Sequence, residues 1–343
     1  MVRAPSHRLT PSGRRRSEEL GLTYSIVALD AATGDLGIAV QSKFLAVGAV
    51  VPWARAGVGA VATQSFANVA YGPDGLALLG EGVSAADVLA RLVAADPLRE
   101  QRQAGIVDRD GGAATHTGRE CFAWAGGRTG RGYAAQGNIL AGPSVVEGIA
   151  GAYESGGLPF PELLVASLAA AEAAGGDRRG RESAALLVVR TGGGYGGGND
   201  RWIDLRVDDH ADPVPELGRV LSLQRLYGDR PAIDELIAVD EALAGELRSL
   251  LSRIGAQPGG RFGGVYQPMW QVRGETPPSG SSASHDAERP MTGAPRELPD
   301  RWDPTWQGAL LDWMGVENLE ERIAAPGWID PRVLAVLRAR ART

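Results

Sequence analysis

The sequence predicts an α+β fold in which mostly antiparallel sheets carry helices on their outer faces. Three observations lead there. Strand-like runs come in pairs joined by tight turns, a connection that antiparallel strands accept and parallel strands do not. Many of these runs are apolar on both faces, so both faces must be covered. Helix-period segments fall between groups of strands, in the order strands, helices, strands, helices, strands, and two sheets with helices outside would bury them all.

The stretch that organises the rest is 23–43, TYSIVALDAATGDLGIAVQSK. Two runs rich in Val, Ile and small residues flank Ala31-Ala32-Thr33-Gly34, where Gly34 supplies the freedom a reversal needs. If Asp30 pairs with Asp35, Thr23 falls opposite Ser42 with Lys43 next to it. A one-residue bulge would put Gln41 or Lys43 opposite instead. Beyond the hairpin, 46–51 and 57–63 read as short strands around Pro52-Trp53 and Arg55, and 64–68 as a polar turn. Segments 72–80 and 84–95 read as helices, with Ser84 as an N-cap and Asp87 at its third position. A second hairpin, 103–108 with 112–116, turns at Asp110-Gly111. Segment 133–138 is a strand, 145–153 and 162–174 are helices, and 184–189 and 202–207 return to strand. Segments 213–227 and 233–254 read as helical.

Both ends of this region are compositionally distinct. Residues 1–22 carry Pro, Ser, Arg14-Arg15-Arg16 and Glu18-Glu19 with no apolar core for a secretory signal, and are expected to be disordered or a misassigned extension. A start at Leu22, or a cut between Leu22 and Thr23, would leave a free Thr23 amine. Residues 274–300 are rich in Pro, Ser and Gly and read as a flexible insertion. Trp302, Trp306, Trp313 and Trp328, half of the eight Trp, follow it. They suggest a compact core ahead of a ligand surface. The expected domains are 23–228 and a small, mainly helical 229–343.

The bulk numbers exclude several classes. A net charge of −6 argues against a general nucleic-acid surface. No uninterrupted apolar run is long enough to span a membrane. One cysteine, Cys121, excludes an internal disulfide and a multi-Cys metal site; beside Phe122 and Trp124 it reads as a small buried hydrophobe rather than a nucleophile. The four His are too scattered for a zinc motif, and no metal or cofactor is called for. Lys43 is the sole Lys among 35 basic residues, so an ammonium rather than a guanidinium is singled out beside Thr23.

The runs TYSIVALD, GIAVQSKFLAVGAVVPWARAGVGAVATQ, AYGPDGLALL, HTG, QGNILAGP, GGDRRGRESAALLVVR and DLRVDDH resemble the DUF1028 family of bacterial and archaeal proteins. That family is assigned to the N-terminal-nucleophile (Ntn) hydrolase superfamily. The resemblance covers about 23–228, and 229–343 resembles the peptidoglycan-binding-like domain often attached to the family. It implies a four-layer αββα sandwich and amide-bond hydrolysis without fixing a substrate.

On that resemblance the Thr23 hydroxyl would attack an amide carbonyl while its own amine, whose pKa lies near 7.7–8 before tuning, takes the proton. Lys43 would lower that pKa and stabilise negative charge. Asn138, at a strand end after Gly137, is the candidate oxyanion donor. Asp177 and Ser183 resemble, by position, the acid and hydroxyl that hold the terminal amine in threonine-type members such as proteasome β-subunits. Substrate contacts are expected from Ser42, Gln64, Ser65, Asn68, His116 and Arg179; for several of these a structural use competes, a turn closed by its own side chains for 64–68 and a satisfied strand-end residue for His116. Asp208, Asp209 and His210 are better suited to a helix start than to a metal. The reading is an Ntn-type amidohydrolase acting on a small amide, ureide or peptide-like substrate. Its rivals are a catalytically inactive ligand-binding member of the fold, and an interaction protein whose Trp-rich domain binds glycan or protein. Cytoplasmic location, a homo-oligomer, no nucleic-acid or membrane partner, and contact with a peptidoglycan-like glycan through 229–343 complete the expectations.

Overall fold

The structure, a computed structural model, describes residues 23–231, 233–260, 302 and 304–343. The expectations for 1–22 and 274–300 lie outside those residues. The fold is mixed α/β, and the chain divides into two compact units, Met1–Leu221 and Ser222–Thr343.

In the first unit, β1 (Thr23–Leu29) and β2 (Leu36–Ser42) form the expected hairpin with Thr23 opposite Ser42 and Leu29 opposite Leu36. The turn closes through Asp30 N donating to Asp35 O at 2.9 Å. Gly34 has φ +78°, the left-handed backbone that favours glycine. Neither strand reaches the edge of its sheet. With β7 (Gly126–Gly130), β8 (Tyr133–Asn138), β9 (Ser183–Val189) and β10 (Arg201–Val207) they make six antiparallel strands in the order β10-β9-β2-β1-β8-β7. A second sheet runs β3 (Pro52–Arg55), β4 (Gly59–Ser65), β5 (Arg102–Asp108), β6 (Ala113–Thr117).

Side-chain alternation assigns each face. Val27, Leu29, Ile38 and Val40 of the larger sheet share one buried cluster with Ala60, Ala62 and Val107 of the smaller. Tyr24, Ile26 and Ala28 point the other way, into a core with α3 (Ser144–Ser155), α4 (Phe160–Ala173) and Val214, Leu217 and Leu221 of α5 (Pro213–Gly228). The outer face of the smaller sheet, Val61, Ala104 and Ile106, is covered by α1 (Tyr71–Gly80) and α2 (Ala85–Ala95). Ser84 caps α2 by accepting from Asp87 N, as its spacing predicts.

Several local expectations differ from the structure; Pro52–Arg55, read as a connection between strands, is itself strand β3. Segment 46–51 holds a 3-10 turn, Val47–Ala49, because Ala46 adopts φ +54° and the Ser183 hydroxyl accepts from Val47 N. Strand β4 runs on to Ser65, so Gln64 belongs to a strand and not to a turn. Strand β7, GGRTG, carries no strand signal; it pairs as an edge onto β8 through its backbone alone. In 233–254 the helix is only α6 (Glu241–Arg253), capped by Asp240, and is preceded by a short strand β11 (Ile237–Ala238).

In the second unit, α6, α7 (Pro304–Val316), β12 (Trp328–Ile329), which pairs with β11, and α8 (Pro331–Arg340) surround one core. Trp302, Trp306 and Trp313 are buried in it. These rings are core rather than ligand surface. Arg322 is also buried: Nη1 donates to Asp330 at 2.6 Å, Nη2 donates to Arg225 O at 2.6 Å, and Nε donates to Leu226 O. Among the described residues no helix is long and apolar enough to cross a membrane.

Candidate functional site

The two sheets enclose apolar side chains at the turn end of β1 and polar ones at the Thr23 end. Because β1 reads T-Y-S-I-V-A-L, the face toward the smaller sheet carries Thr23 and Ser25 before it reaches Val27 and Leu29. Register then sets a row of polar residues across the sheet: Ser183 opposite Ser42, Ser42 opposite Thr23, and Thr23 opposite Asn138. The Thr23 and Ser42 hydroxyl oxygens lie 3.0 Å apart.

Below this row three strand glutamines cross the space between the sheets. Gln64 Nε2 donates to Thr23 O at 3.3 Å and to Gln103 Oε1 at 2.8 Å. Gln103 Oε1 also accepts from Asn138 Nδ2 at 2.9 Å, and Gln103 Nε2 donates to Gly137 O at 2.8 Å and Thr117 Oγ1 at 2.9 Å. Ser25 Oγ donates to Gln64 Oε1 at 2.6 Å and accepts from Gln136 Nε2 at 2.7 Å. Gln64, Gln103, Gln136 and Asn138 are all buried, so each amide must find partners inside the protein, and the network supplies them. Gln136 fits because Gly105 faces it; a Cβ there would meet Gln136 Oε1 at 2.1 Å.

Above the row lies a cavity of about 230 Å³ that the Thr23 side of the sheet helps to line. Its apolar wall includes Phe44, Val47, Val51 and Phe66, and its polar wall includes Gln64, Ser65 and Arg102. Arg102 is pinned: Nε donates to Asp96 Oδ2 at 2.9 Å and Nη1 to Phe66 O at 2.6 Å. Burial alone would raise the Asp96 pKa, but hydrogen bonds from Arg102, Asn68 and the Leu98 N–H outweigh it and hold the carboxyl well below the usual range. Of the four non-glycine residues with positive φ among those described, Ala46, Ser65 and Ile139 stand in the loops or strand ends on the Thr23 side. Each such conformation costs of order 1–3 kcal/mol, and such strain is concentrated at functional sites.

The structure brings some of the expected site residues together and turns others elsewhere. Thr23, Ser42, Gln64 and Asn138 converge, and Ser65 lines the same cavity as Thr23. The Lys43 ammonium is 3.2 Å from Glu182 Oε2 with its side chain 41% exposed, so it is held in a surface ion pair. The side chain of Asp177 is buried and accepts from Lys43 N at 3.3 Å and Arg179 N at 2.8 Å. Burial pushes its pKa up to about 6; those two hydrogen bonds and the Arg179 and Lys43 charges pull the other way. The Ser183 hydroxyl donates to Phe44 O and accepts from Val47 N, which fastens the loop forming the cavity wall. Asn68 Nδ2 donates to Asp96 at 3.0 Å, and His116 Nε2 lies 3.0 Å from Arg99 O. Arg179 lies 3.9 Å from Asp177.

Sequence reasoning missed Arg102, Gln103, Gln136, Phe44 and Phe66. The signal for two of them was present: a glutamine inside an otherwise apolar strand is a buried amide that needs a partner. Arg102 had none, since one arginine among 34 carries no mark.

The fold and this polar layer define a mixed α/β protein with a threonine-lined cavity between two antiparallel sheets. Residues 23–217, more than half of the chain, match the family described as "Family of unknown function (DUF1028)", and the protein belongs to that family. Residues 294–337 match "Putative peptidoglycan binding domain". A crystal structure of the DUF1028 protein SPO2555 from Silicibacter pomeroyi is similar with a TM-score of 0.55 and 30% sequence identity, covering 60% of this chain and 89% of that one. No curated protein matches the chain.

Proposed function

We propose that the 23–217 region is a four-layer αββα sandwich of the N-terminal-nucleophile type and hydrolyses a C–N bond of a small amide, ureide or peptide-like substrate. The observation that carries this reading is the position of Thr23: it lines a cavity, its hydroxyl oxygen is 3.0 Å from a second hydroxyl, and its carbonyl is fixed by a buried amide. With the bond to residue 22 absent, the Thr23 amine takes the hydroxyl proton directly or through a water as Oγ1 bonds to the substrate carbonyl carbon. Collapse of the tetrahedral intermediate breaks the C–N bond, and the leaving nitrogen receives that proton. Water then cleaves the Thr23 ester.

In this reading Asn138 stabilises the oxyanion through the amide hydrogen not given to Gln103. Asp177 positions the backbone of Lys43, and Lys43 contributes a charge shared with Glu182. Ser183 holds the cavity wall. The apolar wall of Phe44, Val47, Val51 and Phe66 favours a substrate with a compact apolar group, and Arg102 with Ser65 favours a polar or anionic one beside it.

The test is intact mass of protein purified from its native host, before and after exposure to a β-lactone that acylates nucleophilic threonines. The expected result is a chain beginning at Thr23 that gains one adduct, with no adduct on Thr23→Ala. A chain that begins at Met1, or an adduct that survives Thr23→Ala, overturns the reading. The match over 294–337 favours a second role, glycan binding by the C-terminal unit. Since Trp302, Trp306 and Trp313 are buried, such binding must use other side chains. Sedimentation of the full chain with purified cell-wall sacculi checks it, and a chain left wholly in the supernatant argues against it.

A further inference from the structure

A larger cavity, about 500 Å³, lies at the other end of β1. Thr23 and Leu29 are six residues apart on one strand, which separates the two cavities by roughly 20 Å. The volume is within the range of small-molecule sites, roughly 300–1,000 Å³. Its apolar lining includes Leu29, Phe160 and Leu163. Two adjoining turns also line it, and they touch: Gly132 N donates to Gly111 O at 3.1 Å. The residue before each glycine is charged, Asp110 on one turn and Arg131 on the other, and both are exposed. Although their turns are hydrogen-bonded, the two side chains form no ion pair with each other, and neither has a side-chain partner among the described residues. Asp30 lines the cavity too, but its carboxylate is occupied within its own turn, accepting from Ala32 N at 3.0 Å and Thr33 Oγ1 at 2.8 Å.

Opposite charges held on neighbouring turns over an apolar cavity match a molecule with the same three features. We propose that this cavity binds a small zwitterion with an apolar side chain, a free amino acid, with its carboxylate at Arg131, its ammonium at Asp110 and its side chain against Leu29, Phe160 and Leu163. Arg131 presents paired N–H donors to the carboxylate. The proposal stands independently of what Thr23 does.

Isothermal titration of the full chain with L-phenylalanine tests it. The expected result is saturable one-to-one binding, weakened about tenfold by Arg131→Gln and by Asp110→Asn. Both residues are exposed, so both variants keep the wild-type circular dichroism. The analogues 3-phenylpropionate, which lacks the ammonium, and phenethylamine, which lacks the carboxylate, bind about tenfold more weakly than L-phenylalanine. Thr23→Ala leaves the binding unchanged. No saturable heat with L-phenylalanine overturns the proposal, as does equal binding by either variant or either analogue. Loss of binding in Thr23→Ala places the probe in the other cavity and overturns it as well.

Discussion

Replacing Gln103 with Leu removes the centre of the inter-sheet network while keeping the volume of the side chain. Two buried donors lose their shared acceptor: Gln64 Nε2, 2.8 Å away, and Asn138 Nδ2, 2.9 Å away. Three acceptors lose a donor: Gly137 O at 2.8 Å, Thr117 Oγ1 at 2.9 Å and, at the longer distance of 3.3 Å, the O of half-buried Gly126, which water can serve. Gln64 Nε2 keeps Thr23 O, and the Thr117 hydroxyl can rotate, so about two groups are left stranded. At roughly 1–3 kcal/mol for each stranded buried group, the variant should lose about 2–6 kcal/mol, a large part of the 5–15 kcal/mol typical of a domain. Urea unfolding followed by circular dichroism measures this as a lower midpoint at unchanged slope. Gln103→Glu sharpens the test. Its protonated carboxyl can still donate to Gly137 O, while burial raises its folded pKa above the unfolded value of about 4.3. The contribution of that proton is therefore present below about pH 4.3 and is lost as pH rises through the raised folded value. A loss below about 1 kcal/mol for Gln103→Leu, or a Gln103→Glu variant no less stable at neutral than at acid pH, would refute the account of the network as a buried, mutually satisfied unit.

Three further substitutions probe other buried groups. Asp177 has its pKa raised from 3.8 to about 6, so its stabilising contribution is full below 3.8 and disappears as pH rises through about 6; Asp177→Asn should flatten that segment of the stability–pH curve, measured by thermal melts at a series of pH values. Arg322→Met leaves the Asp330 carboxylate buried without its cation, and should lower stability by about 3–5 kcal/mol; tryptophan fluorescence during thermal unfolding reports it, since Trp302, Trp306 and Trp313 share that core. Gly105→Ala would set a methyl group 2.1 Å from Gln136 Oε1 and displace that amide from Ser25, at a cost of about 1–3 kcal/mol by urea unfolding; an unchanged midpoint would mean the strands shift to make room.

Much of this protein can be read from local rules. Alternation along TYSIVAL assigns two faces to β1, a glycine-bearing turn fixes the reversal, and counting outward from it sets Thr23 against Ser42, as found. Ser84 with Asp87 fixes a helix start, and the spacing of Trp residues near the end suggests a core. These features depend on backbone sterics and hydrophobic period, which act between near neighbours in the chain. Where an ammonium or guanidinium comes to rest is a different matter. Lys43 follows Ser42 by one residue, yet its long chain turns to Glu182, a residue far away in sequence, and Arg102 meets Phe66 and Asp96 through two separate loops. Gln64, Gln103 and Gln136 come from three strands in two sheets, and each finds partners on strands other than its own: Gln64 on Ser25, Thr23 and Gln103, Gln103 on Gln64, Asn138, Gly137 and Thr117, and Gln136 on Ser25. Pairing of that kind is decided by how the sheets stack, because a buried amide takes whichever partner the packing presents, and no periodicity along one strand encodes what the opposite sheet will offer.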